Sequence, residues 1–237
     1  MRAIRLSFLH MLKLMKHDMM LLAAGAAPVL AGFAIRFCIP FLEKTMCRYT
    51  GLSSIMTPYF GLFDIFLSAL TPAIFCFIAA MVMLEERDDH IDRYLFITGL
   101  RQRGYYISHV VLPALAAFIV TLVLLPIFRL TDLSAGIIVL LGLTGTLQGI
   151  IISLLIVTVS SNKLEGMAVT KLSSLIMLGA LVPYFVPDRY GYFMSFLPSF
   201  WAGKAVATGN LLYMLPSVIV SVIWIVILSM RFNVKRH

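Results

Sequence analysis

Residues 84–111 read LEERDDHIDRYLFITGLRQRGYYISHVV. Between residues 85 and 103 stand nine formal charges: Glu85, Glu86, Arg87, Asp88, Asp89, Asp92, Arg93, Arg101 and Arg103. The runs on either side are apolar, and hydrocarbon offers a charge no water. The island therefore marks an aqueous loop between two membrane-spanning helices. That division decides the fold, and the rest of the chain divides in the same way.

Composition agrees with it. Of 237 residues, 61% are hydrophobic and 13% charged, about half the charged share of a soluble domain. A spanning helix needs roughly 20 mostly apolar residues. Six segments meet that length: 19–42, 58–84, 107–128, 135–160, 168–186 and 211–230. The expected fold is all-α, a single polytopic transmembrane domain over residues 1–237, with both termini on one side of the membrane.

Lysine and arginine say which side. With the termini cytoplasmic, 13 of the 19 basic residues fall in inner segments and five in outer ones, leaving Arg36 inside a span. The net charge of +8 is thus a topology signal. The expected surroundings are a lipid bilayer, and no nucleic acid is expected as a partner. Residues 1–17 place Ile4, Phe8, Met11, Leu12 and Met15 on one stripe, with Arg5, Lys13 and Lys16 largely off it. That pattern suits an interfacial helix on the inner leaflet. The first apolar run is too long for the core of a signal peptide.

Two further segments have patterns of their own. GLTGTLQGIIIS (142–153) spaces Gly145 and Gly149 as a small-xxx-small pair, where a neighbouring helix can approach and Gln148 can hydrogen-bond across. Residues 187–210 and their approach gather Tyr184, Phe185, Tyr190, Tyr192, Phe193, Phe196, Phe200 and Trp201 among Pro183, Pro187 and Pro198. This reads as an outer aromatic region of short re-entrant or interfacial helices.

Arg36 and Asp64 lie inside predicted spans, each six residues from an outer end, and so about 9 Å deep. An unpartnered charge there costs about 3 kcal/mol or more, so an Arg36–Asp64 ion pair is expected, with snorkelling the alternative for Arg36. Cys38, Cys47 and Cys76 have no metal-ligand spacing, and a Cys38–Cys47 bridge stays open.

Catalytic patterns are missing from the sequence. It contains no G-x-S-x-G, H-E-x-x-H or metal-spaced histidine set. Glu85-Glu86 followed by His109 resembles glutamate-type intramembrane proteases, but those need further histidines deep in spans. The expectation is a transporter subunit and not an enzyme, with no metal and no cofactor bound by this chain. A phosphate loop G-x-x-x-x-G-K-[ST] is also missing, so if transport is driven by ATP, the nucleotide and its Mg must sit in a partner ATPase.

The charged loop itself carries helical periodicity. Leu84, Ile91, Tyr94, Leu95 and Thr98 share a broad face, Gly99 can stop the helix, and Leu100, Arg101 and Arg103 follow. Tyr105 and Tyr106 read as an interfacial anchor. Orientation needs only lysine and arginine. Five carboxylates beside an apolar stripe point instead to a docking surface for another protein.

LEERDD followed by HIDRYLFITGLRQRGYY is similar to the permease subunits of type-2 ABC exporters, and the six-span layout fits as well. SNKLEGMAVTK (161–171) resembles the matching loop of bacterial drug-export permeases, including those of fluoroquinolone export. Where such permeases carry Gly-Thr after the acidic run, this chain has His90-Ile91, and Gly99 stands in place of their usual proline. The resemblance implies that residues 91–103 form a cytoplasmic coupling helix seated on an ABC ATP-binding subunit, within the loop 85–106. Glu85, Glu86, Ile91, Tyr94, Leu95, Leu100, Arg101 and Arg103 would then make or orient the docking surface. It also implies a second permease, identical or related, and ATP-driven export across a bacterial plasma membrane. Phe60, Phe63, Phe66, Met177 and Tyr184 could line a path for an amphipathic drug, lipid or antimicrobial peptide. The alternative from another class is a secondary transporter or channel independent of ATP.

Overall fold

The computed structural model of the chain describes residues 18–91 and 101–234, and every regular element among them is helical. Six helices are long and apolar enough to cross a membrane: α1 (Met19–Thr50), α2 (Thr57–Asp88), α3 (Gly104–Phe128), α4 (Ala135–Val159), α5 (Lys163–Phe185) and α7 (Leu211–Phe232). A shorter helix, α6 (Pro198–Thr208), precedes the last of them. The expected interfacial helix at 1–17 lies outside the described residues, as does the stretch 92–100. The ends of the described chain share one face of the bundle, called here the terminal face.

The helix ends have chemical reasons. Asp18 caps α1, accepting from the N–H groups of Met20 (2.9 Å) and Leu21 (3.3 Å). Gly51 stops the same helix at φ 71, a left-handed conformation that glycine adopts freely. α1 runs eight residues past its expected end at 42 because its last turns are used. Glu43 reaches across to accept from Ile55 N (3.0 Å), Met56 N (2.7 Å) and Thr57 Oγ1 (2.8 Å). A carboxylate at the N-terminus of α2 meets donors that the helix leaves unpaired. Cys38 and Cys47 are free and lie nine positions apart on this one helix, about 13 Å, too far for a bridge.

α2 is the axis of the bundle. From Ile78 to Leu84 each of its residues is at most 1% exposed, so it is enclosed by protein on every side. α4 packs most extensively against it, with α3 and α1 alongside. By contrast α1 and α7 turn Leu30, Phe37, Leu215 and Ile219 outward, the kind of apolar surface that a bundle offers to lipid.

The α2–α4 seam depends on small residues. Pro72 has no N–H to give, so the Ser68 carbonyl lacks its usual helical partner. Gly145 lies directly over that carbonyl, and a Cβ there would stand 2.2 Å from the oxygen. Gly149 repeats the close approach one turn on, where a Cβ would stand 2.8 Å from the Pro72 carbonyl oxygen. The spacing seen in the sequence is thus a seam where two backbones touch. Gln148, expected to bond across it, faces a cavity instead.

α5 is not one continuous α-helix. Its middle, Ser174–Leu181, tightens to a 3-10 helix, and α6 tucks against it. A Cβ at Gly203 would come within 2.6 Å of the Ala180 carbonyl oxygen. Inside this outer region Lys204 is buried, with Nζ 2.8 Å from the Tyr192 hydroxyl and 4.1 Å above the Tyr192 ring.

Gly145→Ala should destabilise the bundle by about 1–3 kcal/mol through overpacking. Gly136→Ala, whose Cβ meets nothing within 4 Å, should be nearly neutral. Equilibrium unfolding of both variants in detergent checks the contrast.

Candidate functional site

The acidic run that ends α2 is helical through Asp88, so it belongs to the helix and not to the loop expected from residue 85. Consecutive helical residues point about 100° apart. Four neighbours therefore address different directions, and each finds a partner. Glu85 Oε2 accepts from Lys163 Nζ at 3.1 Å, and the same ammonium donates to Asp18 Oδ2 at 2.9 Å. Arg87 donates from Nη1 to the carbonyls of Ser160 (2.9 Å) and Val157 (3.2 Å). Those carbonyls end α4 and have no helical N–H left to bond, and a cation there also suits the helix dipole. Asp88 Oδ2 accepts from the Lys163 backbone N–H at 3.0 Å, a carboxylate at the N-terminus of α5.

Glu86 takes the fourth direction, inward. It is 1% exposed and sits between Tyr105 and His109, both fully buried on the first turns of α3. The Tyr105 hydroxyl donates to Oε2 at 2.8 Å, and His109 Nε2 lies 3.3 Å from Oε1. In the tautomer with its proton on Nε2, His109 can donate to this carboxyl oxygen. Ser108 Oγ lies 2.9 Å from His109 Nδ1, and the Tyr105 and His109 rings stack at 4.3 Å. A buried carboxylate is tolerated only when its lone pairs are satisfied in this way.

Lysine 163 also sets the electrostatics at the rim. Its hydrogen bond holds the Asp18 carboxyl below the usual carboxylate range, helped by the N–H groups of Leu21 and Met20. The stabilisation from Asp18 is therefore complete above the ordinary carboxylate value. It is lost as pH falls through the lowered one.

The hub joins the terminal ends of α1, α2, α3, α4 and α5, and it flanks residues 92–100 on both sides. Of the expected docking residues, Glu85 and Glu86 are hub members. Ile91 is half-buried where the chain turns helical again, and Arg101 and Arg103 begin the helix Arg101–Tyr106. Tyr94, Leu95 and Leu100 lie outside the described residues. Between Asp88 and Ile91 the chain turns through His90 at φ 58, a left-handed conformation that glycine adopts more easily. Permeases of the resembling family carry glycine at that point.

Sequence reasoning missed Asp18, Arg87, Lys163, Tyr105 and His109 as hub members. Tyr105 was expected at the lipid boundary and is instead fully buried. The available signal was the spacing of Tyr105 and His109, four residues apart and so on one helical face.

The expected Arg36–Asp64 ion pair is not formed. Both side chains go instead to the turn between α3 and α4. Arg36 Nη1 donates to the Arg129 carbonyl at 2.7 Å. Asp64 accepts from Leu130 N (2.8 Å), Thr131 N (2.9 Å) and the Thr131 hydroxyl. The turn exposes backbone donors and a carbonyl at the depth of both charges, and these satisfy each charge separately. Of the expected path residues, Phe63, Phe66 and Met177 line one cavity. Phe60 and Tyr184 do not, and the Tyr184 ring lies 6.3 Å from that of Tyr59. Among the described residues no three His, Cys, Asp or Glu side chains are grouped to hold a metal ion.

Six apolar helices knotted at one face by a polar hub define a multi-pass membrane protein. The chain belongs to the family described as "Fluoroquinolones export permease protein Rv2686c-like", whose profile matches residues 11–229. It is similar to the fluoroquinolones export permease proteins MT2760 and Rv2686c of two Mycobacterium tuberculosis strains, CDC 1551 / Oshkosh and ATCC 25618 / H37Rv. Each is 30% identical over 66 residues, which cover 27% of this chain and 26% of the relative. No solved structure matches the chain.

Glu86→Ala should lower stability by about 3 kcal/mol, because it strands a buried hydroxyl and imidazole. Glu86→Gln keeps an acceptor and should cost less. Thermal unfolding in detergent separates the two.

Proposed function

We propose that the chain is the membrane-spanning permease subunit of an ATP-driven drug exporter, with ATP and Mg bound in a separate ABC ATP-binding subunit. Family membership supports export of a drug, and the names of the relatives suggest an amphipathic, ring-containing cargo of the fluoroquinolone kind. The excess of basic residues on the terminal face supports a cytoplasmic orientation of that face in the cell membrane. Two permeases would flank the path, as in the resembling family.

One observation carries the coupling. The described helix ends on either side of residues 92–100 are tied together at one buried carboxylate, where Glu86 near the end of α2 meets Tyr105 and His109 near the start of α3. A push delivered between these two helix ends by the ATPase would act on both at once. It passes into α2 and α3 directly, and through Arg87 and Lys163 into α4, α5 and α1. A rigid link to a packed bundle is what converts a local shift into a change of access.

Co-purification of the chain with candidate ATPases tests the reading. Ile91→Asp combined with Leu95→Asp should abolish ATPase association while the permease still inserts in the membrane. Unchanged association and ATP turnover would contradict docking at this segment.

A further inference from the structure

A cavity of about 220 Å³ lies between α2, α4, α5 and α6. Phe63, Phe66, Met177 and Leu181 form its apolar walls, and Gln148 and Ser199 supply its polar side chains. Gln148 is only 2% exposed, and its Oε1 has no hydrogen-bond partner. Ser199 spends its proton on the Ile176 carbonyl. Phe66 (46% exposed) and Leu178 (50%) stand at the edge, so the cavity opens sideways onto the apolar surface of the bundle.

An unpaired buried amide is costly, and the surroundings narrow what can satisfy it. Water needs two to four polar partners, and this cavity offers little beyond one amide and one committed hydroxyl. An acyl chain would fill the walls and leave the amide as it is. An apolar cavity of roughly 150 Å³ holds benzene, so this one has room for a fused pair of rings. The amide presents an acceptor and, beside it, a donor, so either a hydroxyl or a carbonyl on such a ring can bond to it.

We propose that this cavity binds an uncharged, flat, largely apolar molecule bearing one hydroxyl or carbonyl, which enters from lipid and is anchored by Gln148. The site deepens the export reading by naming a class of cargo, and only the word cargo depends on that reading.

The test uses the purified chain in lipid nanodiscs, without any ATPase, and equilibrium dialysis of 2-naphthol and naphthalene. The first probe carries the hydroxyl and the second lacks it. Saturable 2-naphthol binding is expected, with naphthalene roughly fivefold weaker, the worth of one neutral hydrogen bond. Gln148→Leu, close in shape, should bring 2-naphthol down to the naphthalene value and leave naphthalene unchanged. Leu181→Trp should remove binding of both by filling the cavity. Binding no greater than that of empty nanodiscs would overturn the proposal, as would 2-naphthol binding unaffected by Gln148→Leu. Equal binding of the two probes to the unaltered chain would mark a groove for acyl chains and would overturn it too. Because no ATPase is present, a negative result leaves the docking of the permease untouched. Loss of ATPase association, in turn, leaves this site untouched.

Discussion

The buried Glu86 carboxylate is the constraint around which the terminal face is organised. A charge enclosed by protein must be met by donors, and those donors fix the position of whatever carries them. Here they are the Tyr105 hydroxyl and the His109 imidazole, so the entry of α3 is set by the exit of α2. The neighbouring charges extend the same logic outward. Arg87 closes the end of α4, and Lys163 stands between Glu85 and Asp18. Each contact at the rim is modest by itself. Together they make the ends of five helices into one polar knot, and a network of this kind is worth more than its pairs.

Inside the bundle a different force takes over. Lipid gives helices no hydrophobic reason to associate, so close packing has to do it. Pro72 frees the Ser68 carbonyl, and Gly145 allows α4 to settle upon it. α6 uses the same device against the 3-10 stretch of α5, with Gly203 over Ala180. The cavity beside Gln148 lies where these two seams diverge, between helices held close on either side.

Much of this was legible in the sequence. Apolar run lengths gave six spans, because hydrocarbon thickness sets how many residues a helix needs. The small-xxx-small spacing of Gly145 and Gly149 marked the seam. The helix ends were less legible. α2 persists through Asp88, and partners for its charged run come from three other helices, far away in sequence. The same lack of long-range information misled on Arg36 and Asp64. Their depths match, as sequence spacing indicates, but the backbone of the α3–α4 turn lies between them and satisfies both. Tyr105 looked like a boundary anchor for a similar reason, since nothing local reveals a buried carboxylate on another helix.

The hub is meaningful as a coupling element only if Glu86 and Tyr105 act as one unit. A double-mutant cycle on Glu86→Ala and Tyr105→Phe, followed by equilibrium unfolding in detergent, measures that most directly. The two changes should be non-additive, with a coupling energy of about 1–2 kcal/mol, because each removes the same buried hydrogen bond. Strict additivity would show that α2 and α3 are held independently, and it would contradict the account.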